Sequence, residues 1–153
     1  NLIMYQLRIK TLDRKGWRDK DTVMFHACFQ LLTDFIELEK PDEVFDLKHS
    51  QNKDTWKEMF YLYRWWTIKR PARKELWHLA EPLTEEELKT HSLDKLDVIT
   101  ANWKFKELPK NVVRKIENYH RKASKEYDKQ EAFRLEDQTH LERLIKVREH
   151  LWT

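Results

Sequence analysis

Two tryptophans and five cationic side chains lie together in residues 64–74, a combination that could hold an anionic ligand. Arginine and lysine donate hydrogen bonds to phosphate or carboxylate groups, and an exposed indole ring can stack on a nucleobase. These residues and the tryptophan that follows them form the basic-aromatic cluster: Arg64, Trp65, Trp66, Lys69, Arg70, Arg73, Lys74 and Trp77. The binding residues we predict are Arg64, Trp65, Lys69, Arg70, Arg73 and Lys74, and we expect Trp65 to be the exposed indole.

The same cluster also fits an ordinary structural role, which is the commoner case. Lysine and arginine near the end of a helix complement the partial negative charge of the last carbonyl groups. In that arrangement Trp66 and Trp77 would belong to the hydrophobic core. The sequence therefore leaves open whether the cluster binds a ligand or ends a helix.

Four polar residues recur at spacings of three and four within an otherwise apolar segment, namely His26, Gln30, Asp34 and Glu37. On a helix such spacings place side chains on one face, where they could act as general acid and base or bind a metal ion. Within this polar strip the catalytic candidates are His26, Asp34 and Glu37. A histidine in an apolar helix is more often a hydrogen-bonded boundary residue, and one helix supplies few ligands. We therefore predict no metal site and no cofactor, and favour a non-enzymatic protein while leaving catalysis open.

Two motifs, Glu117-x-x-His120 and Asp137-x-x-His140, have the spacing of the Glu-x-x-His pairs in di-iron helical bundles. The match is poor, because aspartate replaces glutamate in the second pair and both pairs could lie on one polar helix. We expect no di-iron centre here.

The elements that must position these residues are helices. Apolar residues cover most of the circumference of a helix predicted over residues 19–39, which Pro41 ends, so this helix should be central. Thr55 and Glu58 have the spacing of a capping box and predict the start of a second helix, which ends before Pro71. We expect the two aromatic helices to pack antiparallel.

The second half of the chain predicts further helices. A short helix is expected over residues 74–79, and Thr84 with Glu87 has the spacing of another capping box. Residues 110–151 form either one bent helix or two consecutive ones, because Thr139 resembles a fresh helix start.

The N-terminal segment has a different period. Residues 4–10 alternate between apolar and polar, which is typical of a half-buried strand, and only residues 97–105 offer a partner. We expect a short extended arm or a minor two-stranded pairing. A turn of helix is also expected near residues 44–47.

Composition favours an all-α fold, an irregular bundle of four to six helices. Of 153 residues 12% are aromatic, and Gly16 is the only glycine, which disfavours tight hairpins and excludes a glycine-rich phosphate loop. We predict a single helical domain over residues 1–153. Its expected parts are an extended arm at 1–18, an aromatic helical core at 19–80, and peripheral and C-terminal helices at 81–153.

Charge and cysteine content bear on compartment and partners. Cys28 is the only cysteine, which excludes an intrachain disulfide and a cysteine-only zinc site and fits a reducing compartment. The formal net charge is +3, with basic and acidic stretches that predict a dipolar surface. No apolar run could cross a membrane, and residues 1–10 lack the apolar core of a signal peptide. We expect a cytoplasmic protein with no membrane partner.

Two stretches carry a resemblance. The stretches that carry it are Trp17 followed by Asp21 and FHACFQLLTDFIELEKP (residues 25–41), together with LYRWWTIKRPAR (residues 62–73). Through them the first half of the chain resembles small uncharacterised proteins encoded by tailed bacteriophages. The likeness covers about the first half of the chain. It implies a setting, the cytoplasm of an infected bacterium, and no activity.

Three hypotheses for function follow. The favoured one is a non-enzymatic interaction protein that binds a host or phage protein, or itself, through an aromatic and basic helical surface. The alternative is binding of nucleic acid or a nucleotide through residues 64–74, aided by the basic stretch at 104–125. The third is a metal-dependent hydrolase that uses His26, Asp34 and Glu37.

Overall fold

The computed structural model describes residues 4–44, 52–74 and 79–151, and the all-α class predicted from composition is confirmed. The α-helices are α1 (Lys20–Asp34), α2 (Pro41–Val44), α3 (Lys53–Arg64), α4 (Glu85–Thr90), α5 (Lys95–Ile99) and α6 (Lys110–Val147). Short 3-10 turns occupy Ala101–Phe105 and Arg148–His150. Trp77, most of the helix predicted at 74–79 and most of the turn predicted at 44–47 lie outside the described residues.

Two helices end in a turn of π-helix. Helix α1 continues as Phe35–Glu39 and α3 as Trp65–Lys69. The backbone N–H of Arg70 donates to the carbonyl oxygen of Trp65 at 2.8 Å, five residues back, which is the hydrogen bond that defines this wider turn. After the first π turn, Lys40 adopts a left-handed conformation with φ of 47°, and the chain changes direction before Pro41.

The described residues fall into two compact units, and the first comprises Asn1–Arg73 with Leu135–Thr153. Its core is apolar and takes side chains from α1, α3, their π turns and the last turns of α6: Phe29, Leu32, Phe35, Ile36, Met59, Leu62, Trp65, Trp66, Leu141, Leu144 and Val147. Phe29 stacks on Trp66 and Phe35 on Trp56, so positions later in α1 meet positions earlier in α3. The predicted antiparallel packing of these two helices is therefore confirmed.

The N-terminal segment lies along α1 as an extended arm. The Tyr5 hydroxyl contacts Asp34 and the Thr11 hydroxyl contacts His26, so the arm runs antiparallel to the helix. The alternative of a two-stranded pairing was wrong, because the proposed partner at 97–105 is helical.

Local capping explains why residues 97–105 are helical. The Asp94 carboxylate accepts a hydrogen bond from the backbone N–H of Asp97, and the Asp97 carboxylate accepts one from the backbone N–H of Asp94. The Thr100 side chain then caps the following 3-10 turn. These caps satisfy backbone groups that a strand would have paired with a neighbour.

The second unit comprises Lys74–Arg134. Its core is formed by Leu83, Leu93, Val98, Trp103, Val112 and Ile116. The predicted capping box of Thr84 and Glu87 is present at the start of α4. The residues of α6 up to Arg134 belong to this unit, and those from Leu135 onward belong to the first.

One predicted helix start was wrong, and one choice left open by the sequence is decided. Helix α3 begins at Lys53, ahead of Thr55, and the Glu58 side chain binds Arg143 instead of capping. Helix α6 runs without a break, which settles the choice left open for residues 110–151, and the Thr139 hydroxyl donates to the carbonyl of Leu135 in mid-helix. Glu58, Thr139 and Glu142 thus have partners other than a helix N-terminus.

Candidate functional site

Trp65 is buried, contrary to the expectation that it would be the exposed indole of the basic-aromatic cluster. Its side chain is 1% exposed. The indole Nε1–H donates to the Glu136 carboxylate at 2.5 Å, and the ring stacks on His140 with 3.9 Å between ring centroids. The error has a physical reason: Trp65 is covered by Glu136 and His140 of α6, which lie at least 71 residues away in sequence, where helical spacing gives no information.

Two arginines of the cluster also turn inward. The Arg70 guanidinium donates bidentate hydrogen bonds of 3.1 and 3.0 Å to the Asp137 carboxylate. It also lies 5.0 Å from the centroid of the Trp66 ring. The Arg73 guanidinium lies 2.8 Å from the Asp137 carboxylate and 3.2 Å from that of Glu136. These contacts hold the end of α3 against α6 and leave both arginines poorly placed to take an external anion.

Glu136, the acid that both Trp65 and Arg73 contact, is ionised at neutral pH. Burial raises the pKa of the Glu136 carboxyl, but the hydrogen bond from Trp65 and the charge and hydrogen bond of Arg73 outweigh burial and lower it overall. Within the first unit, a closed network of hydrogen bonds and ion pairs thus joins Trp65, Arg70 and Arg73 to the carboxylates of Glu136 and Asp137.

The polar strip is covered by the N-terminal arm. The Gln30 side chain accepts a hydrogen bond from the backbone N–H of Lys10 at 3.0 Å and donates to Asp34 at 2.8 Å. Asp34 also accepts from the Tyr5 hydroxyl at 2.5 Å. Burial and this bond to a carboxylate raise the pKa of Tyr5 to about 12.

His26 and Glu37, the other two catalytic candidates beside Asp34, have separate partners. The Nδ1 atom of His26 lies 2.7 Å from the Thr11 hydroxyl, and burial, with the nearby charge of Arg70, lowers the pKa of His26 to about 4. Glu37 accepts a hydrogen bond from the Tyr63 hydroxyl at 3.0 Å. Within 4–44, 52–74 and 79–151, no three histidine, cysteine, aspartate or glutamate residues are grouped to hold a metal ion.

The two histidines of the spaced motifs have structural partners as well. His120 Nε2 lies 2.7 Å from the carbonyl oxygen of Val98, and His140 Nδ1 lies 2.7 Å from that of Glu136. Asp137 is held by the arginines of the basic-aromatic cluster. Neither motif forms a metal site in the described parts of the chain.

One groove of the first unit that is open to solvent runs along α3 and its π turn. The groove has a volume of about 570 Å³, and its lining residues are Lys53, Trp56, Lys57, Phe60, Tyr61, Arg64, Ile68 and Lys69. Most of these positions are three, four or seven apart, which places them on one face of a helix. We call this surface the α3 groove.

The α3 groove combines an apolar floor with cationic edges. Ile68 is 63% exposed and Tyr61 is 38% exposed, although both are apolar or aromatic. The charged residues that line the groove are all cations, Lys53, Lys57, Arg64 and Lys69, and all four are exposed. None of them forms an ion pair with a carboxylate of a described residue.

The predicted binding residues therefore lie in different places. Arg64 and Lys69 line the α3 groove, Lys74 is exposed without lining it, and Trp65, Arg70 and Arg73 lie in the closed network. Sequence reasoning missed Lys53, Lys57 and Ile68. The signal was present in the recurrence of lysine and arginine at 53, 57 and 64, which share a helix face with Phe60.

Comparisons with protein-family models, with curated proteins and with solved structures found no match to this chain. Among the helices of the described residues, none combines the length and the apolar character that crossing a membrane requires.

Proposed function

We propose that this chain is a non-enzymatic interaction protein that binds another protein through the α3 groove. The observation that carries the proposal is the groove itself, whose floor exposes Ile68 and Tyr61 and whose charged lining is entirely cationic. Tyrosine, tryptophan and arginine contribute most of the binding energy at protein interfaces, and grooves between such residues accept a partner's apolar side chains.

The proposed setting is the cytoplasm of an infected bacterium. This rests on the resemblance of residues 25–41 and 62–73 to proteins of tailed bacteriophages. A host protein or another phage protein is then the partner, and a second copy of the chain is an outcome that the experiment below distinguishes by mass.

The test compares two isoleucines of matched exposure. Ile68, in the α3 groove, is 63% exposed, and Ile99, at the end of α5, is 62% exposed. The full chain and the variants Ile68→Glu and Ile99→Glu are isolated from the cells that naturally make the protein. Their masses are measured by size exclusion with light scattering, and absorbance is read at 260 and 280 nm.

We expect a complex heavier than the 19.0 kDa chain, with the absorbance ratio of protein, that Ile68→Glu abolishes and Ile99→Glu preserves. A chain that elutes alone, or a complex that survives Ile68→Glu unchanged, would contradict the proposal. A raised 260 nm signal that salt removes would transfer support to nucleic acid.

The two other hypotheses have less support. Nucleic-acid or nucleotide binding through residues 64–74 would use Arg70 and Arg73, which contact carboxylates of α6. A metal-dependent hydrolase would use His26, whose Nδ1 already contacts Thr11.

A further inference from the structure

The aromatic rings of the α3 groove are already engaged with protein groups. The Tyr61 ring is approached by the Arg143 guanidinium at 4.4 Å and by the Lys69 ammonium at 5.3 Å from its centroid, and His140 stacks beside it. The Trp56 ring stacks on Phe35 with 6.2 Å between centroids. These contacts take up ring surface that a stacked nucleobase would need, so the groove is better suited to aliphatic side chains than to bases.

The dimensions of the groove fit a helix. Its lining runs from Lys53 to Lys69, which at the rise of an α-helix is about 24 Å, or between four and five turns. An amphipathic helix laid along this length would place an apolar side chain against the floor at every third or fourth residue. The exposed Ile68 and the partly buried Phe60 are the floor residues that such side chains would cover.

The positive charge of the groove favours a negatively charged helix. Lys53 and Lys57 lie at one end of the groove, and Arg64 and Lys69 toward the other. Asp54 and Glu58, the acids of α3, are not among the lining residues, and Glu58 is paired with Arg143. A basic or neutral helix would leave four cations without counter-charge on burial, whereas carboxylates along both edges would pair with them.

We infer that the occupant of the α3 groove is an acidic amphipathic helix of a partner protein. It has an apolar stripe and flanking glutamate or aspartate residues and spans about four turns. This inference rests on the proposed function and adds the chemistry of the partner to it.

The probe is a fluorescein-labelled peptide of about 18 residues, with leucine at every third or fourth position and glutamate at most others. Two matched peptides accompany it: one with lysine in place of glutamate, and one with the same composition but no apolar stripe. Binding to the full chain is followed by fluorescence anisotropy. The protein variants are Lys57→Glu with Arg64→Glu and, as a control with the same change in net charge, Arg114→Glu with Lys122→Glu on the exposed surface of α6.

We expect the acidic striped peptide to bind about ten-fold more tightly than either matched peptide. The groove double variant should weaken it by about ten-fold, and the α6 double variant should leave it unchanged. No saturable binding of the acidic peptide overturns the inference, and so does equal weakening by the two double variants. Displacement of the peptide by an oligonucleotide of about 20 residues at lower concentration would also overturn it.

The two proposals fail separately. If the natural complex depends on Ile68 but the lysine peptide binds as well as the acidic one, the protein-binding function stands and the acidic helix does not. If no natural complex depends on Ile68, the proposed function fails whatever the peptides do.

Discussion

The indole N–H of Trp65 donates a hydrogen bond of 2.5 Å to the carboxylate of Glu136, which joins the π turn after α3 to α6 across 71 residues of sequence. The Arg73 guanidinium lies 5.3 Å from the centroid of the same indole and 3.2 Å from the same carboxylate. A residue pattern that suggested an exposed ligand site is thus an internal junction of the first unit.

Replacing Trp65 by phenylalanine tests this junction. The variant keeps an aromatic ring but removes the N–H donor from a carboxylate that is 39% exposed and still contacts Arg73, so we expect the free energy of unfolding to fall by about 1–2 kcal/mol. The matched control is Trp17→Phe, because Trp17 is 83% exposed and its loss should change stability by less than about 0.5 kcal/mol. Urea denaturation of the full chain measures both. Equal stability of the two variants would show that the hydrogen bond contributes nothing.

Asp137→Asn removes the charge that faces both Arg70 and Arg73. Because these arginines are largely covered, we expect a loss of about 1.5–3 kcal/mol, more than an exposed ion pair would contribute. Asp128→Asn, at an exposed position of the same helix, is the control and should be close to neutral. Thermal unfolding of the two variants is measured side by side, and a midpoint for Asp137→Asn that matches the control would show that these ion pairs do not stabilise the fold.

His26 predicts a dependence of stability on pH. Its folded pKa of about 4 lies below the ordinary 6.5, so the unfolded chain binds a proton that the folded chain does not. The contribution of neutral His26 to the free energy of unfolding is therefore complete above the ordinary pKa. It declines as the pH falls toward 4, by roughly 2–3 kcal/mol in all. The difference in unfolding free energy between the native chain and His26→Gln should narrow over this interval. A difference that stays constant from about pH 7 to about pH 4 would contradict the assignment.

Tyr5→Phe tests whether the arm is held on α1 by its hydroxyl. The hydroxyl that donates to Asp34 belongs to a tyrosine that is 55% exposed, so we expect a loss of at most about 1 kcal/mol in global stability. The sharper readout is hydrogen exchange at the backbone N–H of Lys10, which donates to Gln30 and should exchange faster when the arm loosens. Tyr127→Phe, at a ring that is 68% exposed, is the control. An unchanged exchange rate at Lys10 would mean that the arm is held elsewhere.

The antiparallel pair of aromatic helices could be predicted from sequence, because side-chain periodicity is local information. The apolar spacing within residues 19–39 was sufficient to predict a central helix, and Phe29 and Leu32 of that helix are fully buried. The all-α class followed in the same way from aromatic content and the near absence of glycine.

The ligand-binding interpretation of Arg70 and Arg73 could not be tested in this way. Their carboxylate partner, Asp137, is 67 residues from Arg70 in sequence, and no spacing rule connects residues so far apart. Trp65 was misplaced for the same reason, because the α6 residue that accepts its hydrogen bond is 71 residues away. The α3 groove was missed although its residues are close in sequence, because lysines at helical spacing resemble an ordinary solvated face.

The distance in sequence between Trp65 and Glu136 sets an order of events on the ribosome. At a synthesis rate of about 5–20 residues per second, Glu136 follows Trp65 by roughly 4–14 seconds. During that interval the nascent segment 53–73 lacks the α6 carboxylates that its indole and two arginines contact in the folded chain, and it carries the apolar side chains that later meet Leu141 and Leu144. Chaperone capture of the nascent chain should therefore be concentrated on this segment until the end of α6 emerges.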